Sequence, residues 1–160
     1  MESLPTDIKE LSAALLEAMP QKDPFRFCDE IIELNDEKIV SRYHYRAEEW
    51  YYKGHFPGRP VTPGVIQIET MAQTAVVAYG IWLVFKEYEE KGGPHPSEFL
   101  TVFTDVEAEF FREIPPETTV TITGEKIFWR RKKLRCQASI ILPDGKMAAT
   151  AKLSGLGVKA

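Results

Sequence analysis

The sequence predicts an α+β fold in which a long antiparallel β-sheet wraps around one central, buried α-helix. The segment from Gly64 to about Glu87 has apolar side chains on nearly every face of a helix, as is typical of a helix that is buried on all sides. After residue 97, apolar and polar residues alternate over several segments separated by turn residues, which indicates β-strands. With 160 residues the chain can bury a substantial core, and we expect residues 1–160 to form a single domain.

Before the central helix, the sequence predicts a short helix and a β-hairpin. Residues 8–19 carry apolar side chains at helical spacing, with Thr6 or Asp7 available as the N-terminal cap. An apolar segment over 25–34 is followed by a turn signal, Asn35-Asp36, and by a second apolar segment over 39–45. A loop made stiff by three prolines then leads to the central helix.

After the central helix, the sequence predicts four strands, over 99–111, 119–129, 134–142 and 147–156. The residues Pro143-Asp144-Gly145-Lys146 favour a tight hairpin turn between the last two strands. The basic run Arg130-Arg131-Lys132-Lys133 is interpreted as a solvent-exposed turn between two strands.

The composition is that of an ordinary globular protein, with 44% hydrophobic residues, 28% charged residues and a net charge of −4. Because there is no concentrated basic face, we expect no nucleic acid partner. We also expect no membrane span, since no apolar stretch reaches about 18 to 20 residues, and no signal peptide over residues 1–7. Cys28 and Cys136 are expected to be buried free thiols of a cytoplasmic protein.

The stretch from Gly54 to Gln73 carries the candidate catalytic residues. His55 lies in a loop rich in proline and glycine, and an imidazole can take or give a proton near neutral pH. Glu69 lies within the apolar helix that follows, where burial should raise the pKa of its carboxyl, as a general acid needs. Gln73 is four residues further along and could orient that carboxyl. The backbone N–H groups that start at Gly64 have no intrahelical partner and suit a developing oxyanion.

A base, an acid and an oxyanion site suit removal of a proton next to an activated carbonyl, with loss of a β-hydroxyl as water. The sequence contains no Ser-His-Asp order, no metal-ligand spacing and no glycine-rich nucleotide loop, so we expect acid–base chemistry without a metal or cofactor. Structural roles fit the same residues, because a loop histidine is most often a surface side chain and a buried glutamate can simply be a hydrogen-bond partner. His44 and His95 receive no catalytic role.

The residues around His55 and Glu69 resemble the motif of a known family. The matching residues are His55-Phe56-Pro57-Gly58, Pro60-Val61, Pro63-Gly64-Val65, Glu69, Ala72 and Gln73. The motif is similar to that of the bacterial 3-hydroxyacyl-[acyl-carrier-protein] dehydratases of fatty-acid synthesis. The similarity covers most of the chain, with 23–29 as the family's first strand, 105–112 as the strand after the helix and 143–146 as the last hairpin.

This resemblance implies a hotdog fold, in which the sheet wraps a long central helix, and conversion of a 3-hydroxyacyl thioester to the trans-2-enoyl thioester. The substrate would be carried on the phosphopantetheine arm of acyl carrier protein. Members of the family form homodimers, often trimers of dimers, with each active site at the dimer interface. The histidine comes from one protomer and the acid from the other.

The resemblance also implies a role for each matching residue. His55 would remove the α-proton, Glu69 would protonate the departing hydroxyl, the Gly64 N–H would polarise the thioester carbonyl, and the Val61 carbonyl would orient the imidazole. The expected lining of the acyl tunnel is Phe56, Pro57, Met71, Ala72, Phe103 and Phe110. The expected docking charges for the carrier are Lys22, Arg112, Arg130, Arg131, Lys132 and Lys133.

Two other functions fit the same fold. One is an acyl thioesterase, although hydrolysis has less need of a base in the His-Phe-Pro-Gly loop. The other is a non-catalytic acyl-binding subunit of a hetero-oligomeric dehydratase, although the chain has both an acid and a base. A glutamate at position 69 resembles the branch of the family that only dehydrates, whereas the branch that also isomerises the double bond has aspartate there.

Overall fold

The computed structural model of the protein describes residues 3–160 and has the predicted α+β, hotdog architecture. Residues 1 and 2 lie outside the described residues. They belong to the segment 1–7, for which we expect no signal peptide. The elements are an N-terminal helix Ile8–Ala18, strands β1 Glu30–Leu34 and β2 Lys38–Tyr45, the central helix Gly64–Lys91, a 3-10 turn Pro96–Glu98, and strands β3 Phe99–Phe110, β4 Thr118–Arg130, β5 Lys133–Ile141 and β6 Met147–Lys159.

The six strands form one antiparallel sheet in the order β1-β2-β4-β5-β6-β3. β3 pairs with β6 on one side only, so its other side is a free edge among residues 3–160. The sheet curves around the central helix, and alternate residues of β5 (Leu134, Cys136, Ala138 and Ile140) are buried against it. This alternation is the period-2 pattern that the sequence predicted.

The middle section of the central helix makes closer contacts with the surrounding strands than its sequence predicts. This section, Gln73–Ala78, is π-helical rather than α-helical, and Cys136 Sγ donates to the carbonyl of Ala75 at 3.1 Å. Gly124 on β4 lies opposite, where a Cβ would come within 2.7 Å of Ala75 Cβ. A glycine is therefore needed for the helix and the strand to approach this closely.

The predicted hairpin before the central helix is confirmed, but its first strand begins later than expected. Asn35 Oδ1 accepts hydrogen bonds from the backbone of residues 37 and 38 and forms the turn between β1 and β2. Residues 25–29 were predicted as strand and are not, because the backbone groups of Phe25 and Phe27 bond instead to the side-chain amide of Gln73.

The two later turns are confirmed. Gly145 has φ 83° in the hairpin between β5 and β6, and Leu142 N donates to the Lys146 carbonyl at 2.8 Å. Arg131 and Lys132 have φ 51° and 62° and form the tight turn between β4 and β5. Positive φ at both turn positions matches the twist of the flanking strands.

We expected no apolar stretch long enough to span a membrane. Judged by the length and composition of the central helix, this expectation was wrong. The central helix has 28 residues and contains one sufficiently apolar window of 18. However, 78% of that window is buried inside the protein, as is typical of a core helix. The predicted free thiols are confirmed, since Cys28 and Cys136 are both buried and unpaired.

Gly124→Ala tests the close approach of the helix to β4. The added Cβ would lie 2.7 Å from Ala75 Cβ and 3.0 Å from its Cα, so the helix must shift. We expect the free energy of unfolding, measured by urea denaturation, to fall by about 1 to 3 kcal/mol. Gly54→Ala, where a Cβ meets nothing within 4 Å, is the control. Equal losses in the two variants would contradict the close contact.

Candidate active site

The imidazole of His55 is held in one orientation by its own loop. Its Nδ1 lies 2.8 Å from the Val61 carbonyl oxygen, and Val61 N donates back to the His55 carbonyl at 2.9 Å. Because a carbonyl can only accept, Nδ1 donates in this bond, and in the neutral form of the ring Nε2 then carries the lone pair. The Phe56 ring stacks on the imidazole with centroids 4.2 Å apart. The loop therefore fixes the ring so that Nε2 is the nitrogen left as a candidate base.

The start of the central helix offers unpaired backbone donors. The N–H groups of Ile66 and Gln67 both donate to the Pro63 carbonyl, at 3.0 Å each. Those of Gly64 and Val65 have no acceptor within residues 3–160. A Cβ at Gly64 would lie 3.1 Å from the Phe110 ring, so glycine keeps this site narrow but open. The positive end of the helix dipole lies here and favours a carbonyl oxygen that gains negative charge.

The imidazole of His55 and the backbone N–H of Gly64 belong to one pocket. His55, Val61 and Gly64 line an open pocket of about 440 Å³. Its remaining lining residues are Thr62, Gln67, Phe110, Phe111, Arg112 and Glu113. A candidate base and a candidate oxyanion donor thus belong to residues that line the same pocket.

The carboxyl of Glu69 is half-buried and has one fixed partner. Burial raises the pKa of the Glu69 carboxyl above its usual value, while the hydrogen bond from Gln73 Nε2 at 2.8 Å acts in the opposite direction. Since this bond occupies Oε1, the proton of the acid form is carried by Oε2. This arrangement suits a carboxyl that donates a proton from one oxygen, Oε2.

The side-chain amide of Gln73 is held by hydrogen bonds at both its oxygen and its nitrogen. Its Oε1 accepts from Phe27 N at 2.6 Å, and its Nε2 donates to the Phe25 carbonyl at 2.8 Å as well as to Glu69. Both N–H groups and the carbonyl are thus used, so the amide cannot turn away from the carboxyl. The segment 25–27, which was wrongly predicted to be a strand, holds Gln73, and Gln73 in turn donates to the carboxyl of Glu69.

Within one chain, the imidazole of His55 and the carboxyl of Glu69 lie in different places. Glu69 lies five residues after Gly64, about 7.5 Å further along the helix and about 140° around its axis. It does not line the pocket that contains His55. The chain therefore brings His55, Val61 and Gly64 together, and Glu69 and Gln73 together, as two separate groups.

The predicted tunnel residues are dispersed. Phe110 lines the pocket with His55, whereas Met71 and Ala72 are buried in the core around the helix. Phe56, Pro57 and Phe103 are exposed.

The predicted docking charges lie in different settings. Arg112 lines the pocket and donates to the Met147 carbonyl at 2.7 Å. Lys132 is bound to Glu87 and lies over the Trp129 ring. The other four also lie outside this pocket: Lys22, Arg130, Arg131 and Lys133.

Sequence reasoning missed Gln67, which lines the pocket and is only 4% exposed. The available signal was a polar residue three positions after Gly64, in a first turn whose other residues are apolar.

Residues 19–152 match the family model of the FabA-like domain. The chain belongs to this family. Among its curated relatives, the 3-hydroxyacyl-[acyl-carrier-protein] dehydratase FabZ of Streptococcus agalactiae is 32% identical over 149 residues, covering 92% of this chain and 95% of the relative. The enzyme of the same name from Thermus thermophilus is 33% identical over 151 residues, covering 92% and 94%.

Solved structures support the fold of this FabA-like chain. The dehydratase heterocomplex ApeI:P from Xenorhabdus doucetiae matches with a TM-score of 0.72 at 15% identity, covering 91% of both chains. A thioesterase from Haemophilus influenzae matches with a TM-score of 0.56 at 15% identity, covering 81% of this chain and 78% of that one. The hotdog fold that the motif implied is confirmed.

Glu69→Gln should gain stability relative to the wild type as the pH rises. The pKa of the Glu69 carboxyl is higher in the folded than in the unfolded chain, because burial disfavours its charged form. The stability that the protonated carboxyl contributes is fully present below the unfolded value of about 4.3 and is lost as the pH rises through the folded value. Glutamine does not ionise and keeps its contribution.

The measurement is urea denaturation of both proteins at about pH 4 and about pH 8. We expect the free energy of unfolding of the variant minus that of the wild type to be larger at the higher pH. Groups other than residue 69 titrate in both proteins and cancel in this difference. A difference that is constant, or that decreases as the pH rises, would contradict the raised pKa.

Proposed function

We propose that this protein dehydrates a 3-hydroxyacyl thioester carried on acyl carrier protein, in the biosynthesis of fatty acids. The carrying observation is the imidazole of His55, with Nδ1 bonded to the Val61 carbonyl and Nε2 without a partner within residues 3–160, in one pocket with the unpaired N–H of Gly64. Membership of the FabA-like family and curated relatives named as 3-hydroxyacyl-[acyl-carrier-protein] dehydratases support the same conclusion.

In the proposed reaction, His55 Nε2 takes a proton from the carbon next to the thioester carbonyl. The electrons of that C–H bond form the new C=C bond as the C–O bond to the 3-hydroxyl breaks. Glu69 Oε2 gives its proton to the departing hydroxyl, which leaves as water, and the product is the trans-2-enoyl thioester. The imidazolium and the carboxylate then exchange a proton, and both groups return to their starting states.

The surroundings of each group stabilise the charge that develops on it. The Gly64 N–H meets the thioester oxygen, which becomes enolate-like as the proton leaves. The Val61 carbonyl, 2.8 Å from Nδ1, stabilises the imidazolium. The Gln73 amide, 2.8 Å from Glu69 Oε1, stabilises the carboxylate once its proton is gone.

We infer that the acid is contributed by a second copy of the chain. β3 has a free edge, and its side chains that share the inner face with buried β6 residues remain exposed: Phe103 by 44%, Val106 by 41% and Phe110 by 48%. The outer face of the same strand carries Asp105, Glu107 and Glu109 instead. Exposed apolar residues beside an unpaired strand edge are typical of an interface.

A twofold partner that pairs its own β3 antiparallel with this edge continues the sheet and keeps one apolar and one charged face. Val65, in the first turn of the central helix, is 72% exposed and adds to the same apolar surface. The partner thereby covers Phe110, which lines the His55 pocket, and Val65, which is next to Gly64 in the chain. This supports a homodimer in which His55 and Glu69 of different protomers meet.

His55→Ala and Glu69→Gln test the reaction. With the 3-hydroxyacyl thioester of N-acetylcysteamine as substrate, we expect each variant to lose at least about 100-fold in kcat, since each removes a proton-transfer group. Chromatography follows the enoyl thioester, and circular dichroism checks the fold. His44→Ala is the control, because His44 contacts Thr119 and Glu117 outside the pocket. Release of free thiol instead of enoyl product would favour a thioesterase and overturn the proposal.

Mixing the two inactive variants tests the shared site. In a mixed dimer, one of the two sites has both His55 and Glu69 intact if the residues come from different protomers. Random co-assembly should therefore restore about a quarter of the wild-type activity, because half of the dimers are mixed and half of their sites are intact. No recovery in co-expressed, mixed dimers would show that each chain uses its own pair.

A further inference from the structure

The side chain of Gln67 has an unusual hydrogen-bonding state. It lines the pocket with His55 and Gly64 and is only 4% exposed. Its Nε2 donates to the Thr62 carbonyl at 3.2 Å, which fixes the orientation of the amide, because the opposite orientation would bring two oxygens together. Its Oε1 has no hydrogen-bond partner within residues 3–160.

A buried acceptor without a partner is rare in folded proteins and calls for an explanation. Oε1 can only accept, so what satisfies it is an N–H or O–H group. Gln67 lies three residues after Gly64, about 4.5 Å further along the helix and about 60° around its axis, so both residues lie on the same side. A ligand whose carbonyl oxygen meets the Gly64 N–H therefore passes next to Gln67.

The proposed substrate has two kinds of donor near its thioester. One is the 3-hydroxyl, which in the proposed dimer has to reach Glu69 of the partner subunit. The other is the first amide N–H of the pantetheine arm, three bonds from the sulfur. Three of the residues that line the pocket, Phe111, Arg112 and Glu113, are exposed to solvent, which gives the arm that joins the substrate to its carrier a route out of the pocket.

We propose that Gln67 Oε1 accepts a hydrogen bond from this amide N–H and so selects thioesters of amide-bearing thiol arms. The inference rests on the proposed function and adds to it a residue that recognises the arm. The bond holds the sulfur next to Gly64 while the acyl carbons extend toward the acid. Because the contact is made in the bound substrate and in the transition state alike, its loss raises KM more than it lowers kcat.

The test compares two substrates with the same 3-hydroxyacyl group. One is the N-acetylcysteamine thioester, and the other replaces its amide NH by an ester oxygen, which keeps the shape and removes the donor. We expect the wild type to prefer the amide in kcat/KM by about 3- to 10-fold, as one hydrogen bond supplies. In Gln67→Met this preference should fall to about one. Gln21→Met is the matched control, because Gln21 Oε1 is also buried without a partner but lies outside the pocket.

Equal turnover of the two thioesters by the wild type would overturn the inference without any variant, and so would an unchanged preference in Gln67→Met. A purely structural role for Gln67 predicts an equal loss with both substrates and an intact preference, which also counts against it. No turnover of either thioester by the wild type would instead overturn the proposed function, on which the inference depends.

Discussion

The burial of the central helix inside the sheet is the constraint on which both halves of the site depend. The helix begins at Gly64 next to the Phe110 ring, so the unpaired Gly64 N–H lies at a pocket that this ring also lines. Five residues further along, the same burial raises the pKa of the Glu69 carboxyl. One physical cause, a helix enclosed by a sheet, thus underlies both the proposed oxyanion donor at the helix start and the proposed proton donor one and a half turns later.

Enclosing the helix also means that its polar side chains need partners from the surrounding elements. Thr70 Oγ1 bonds to the Tyr45 hydroxyl at 2.8 Å, and Thr74 Oγ1 bonds to Ser41 at 2.6 Å. Gln73 bonds to the backbone of the segment that precedes β1. Because such bonds are strongly directional in a dry core, they fix the rotation of the helix, and with it the direction in which the acid points.

The range of the interactions decides how much could be predicted from the sequence. The central helix and the turn at Gly145 follow from local patterns, and the spacing of Glu69 and Gln73 was enough to predict their hydrogen bond. Residues 25–29 were predicted wrongly because their backbone bonds to a side chain 46 to 48 residues further along the chain. The π-helical section contains Ala75, which contacts two strands, and no pattern inside the helix encodes these contacts.

Keeping the imidazole and the carboxyl on separate elements leaves space between them for the substrate of the proposed reaction. In the proposed dimer the two groups face each other only across a bound thioester, whose reacting carbons lie between them. The exposed apolar residues of β3 make the isolated chain prone to association. In the proposed dimer, association through that strand also completes the site, so the same surface would link assembly to activity.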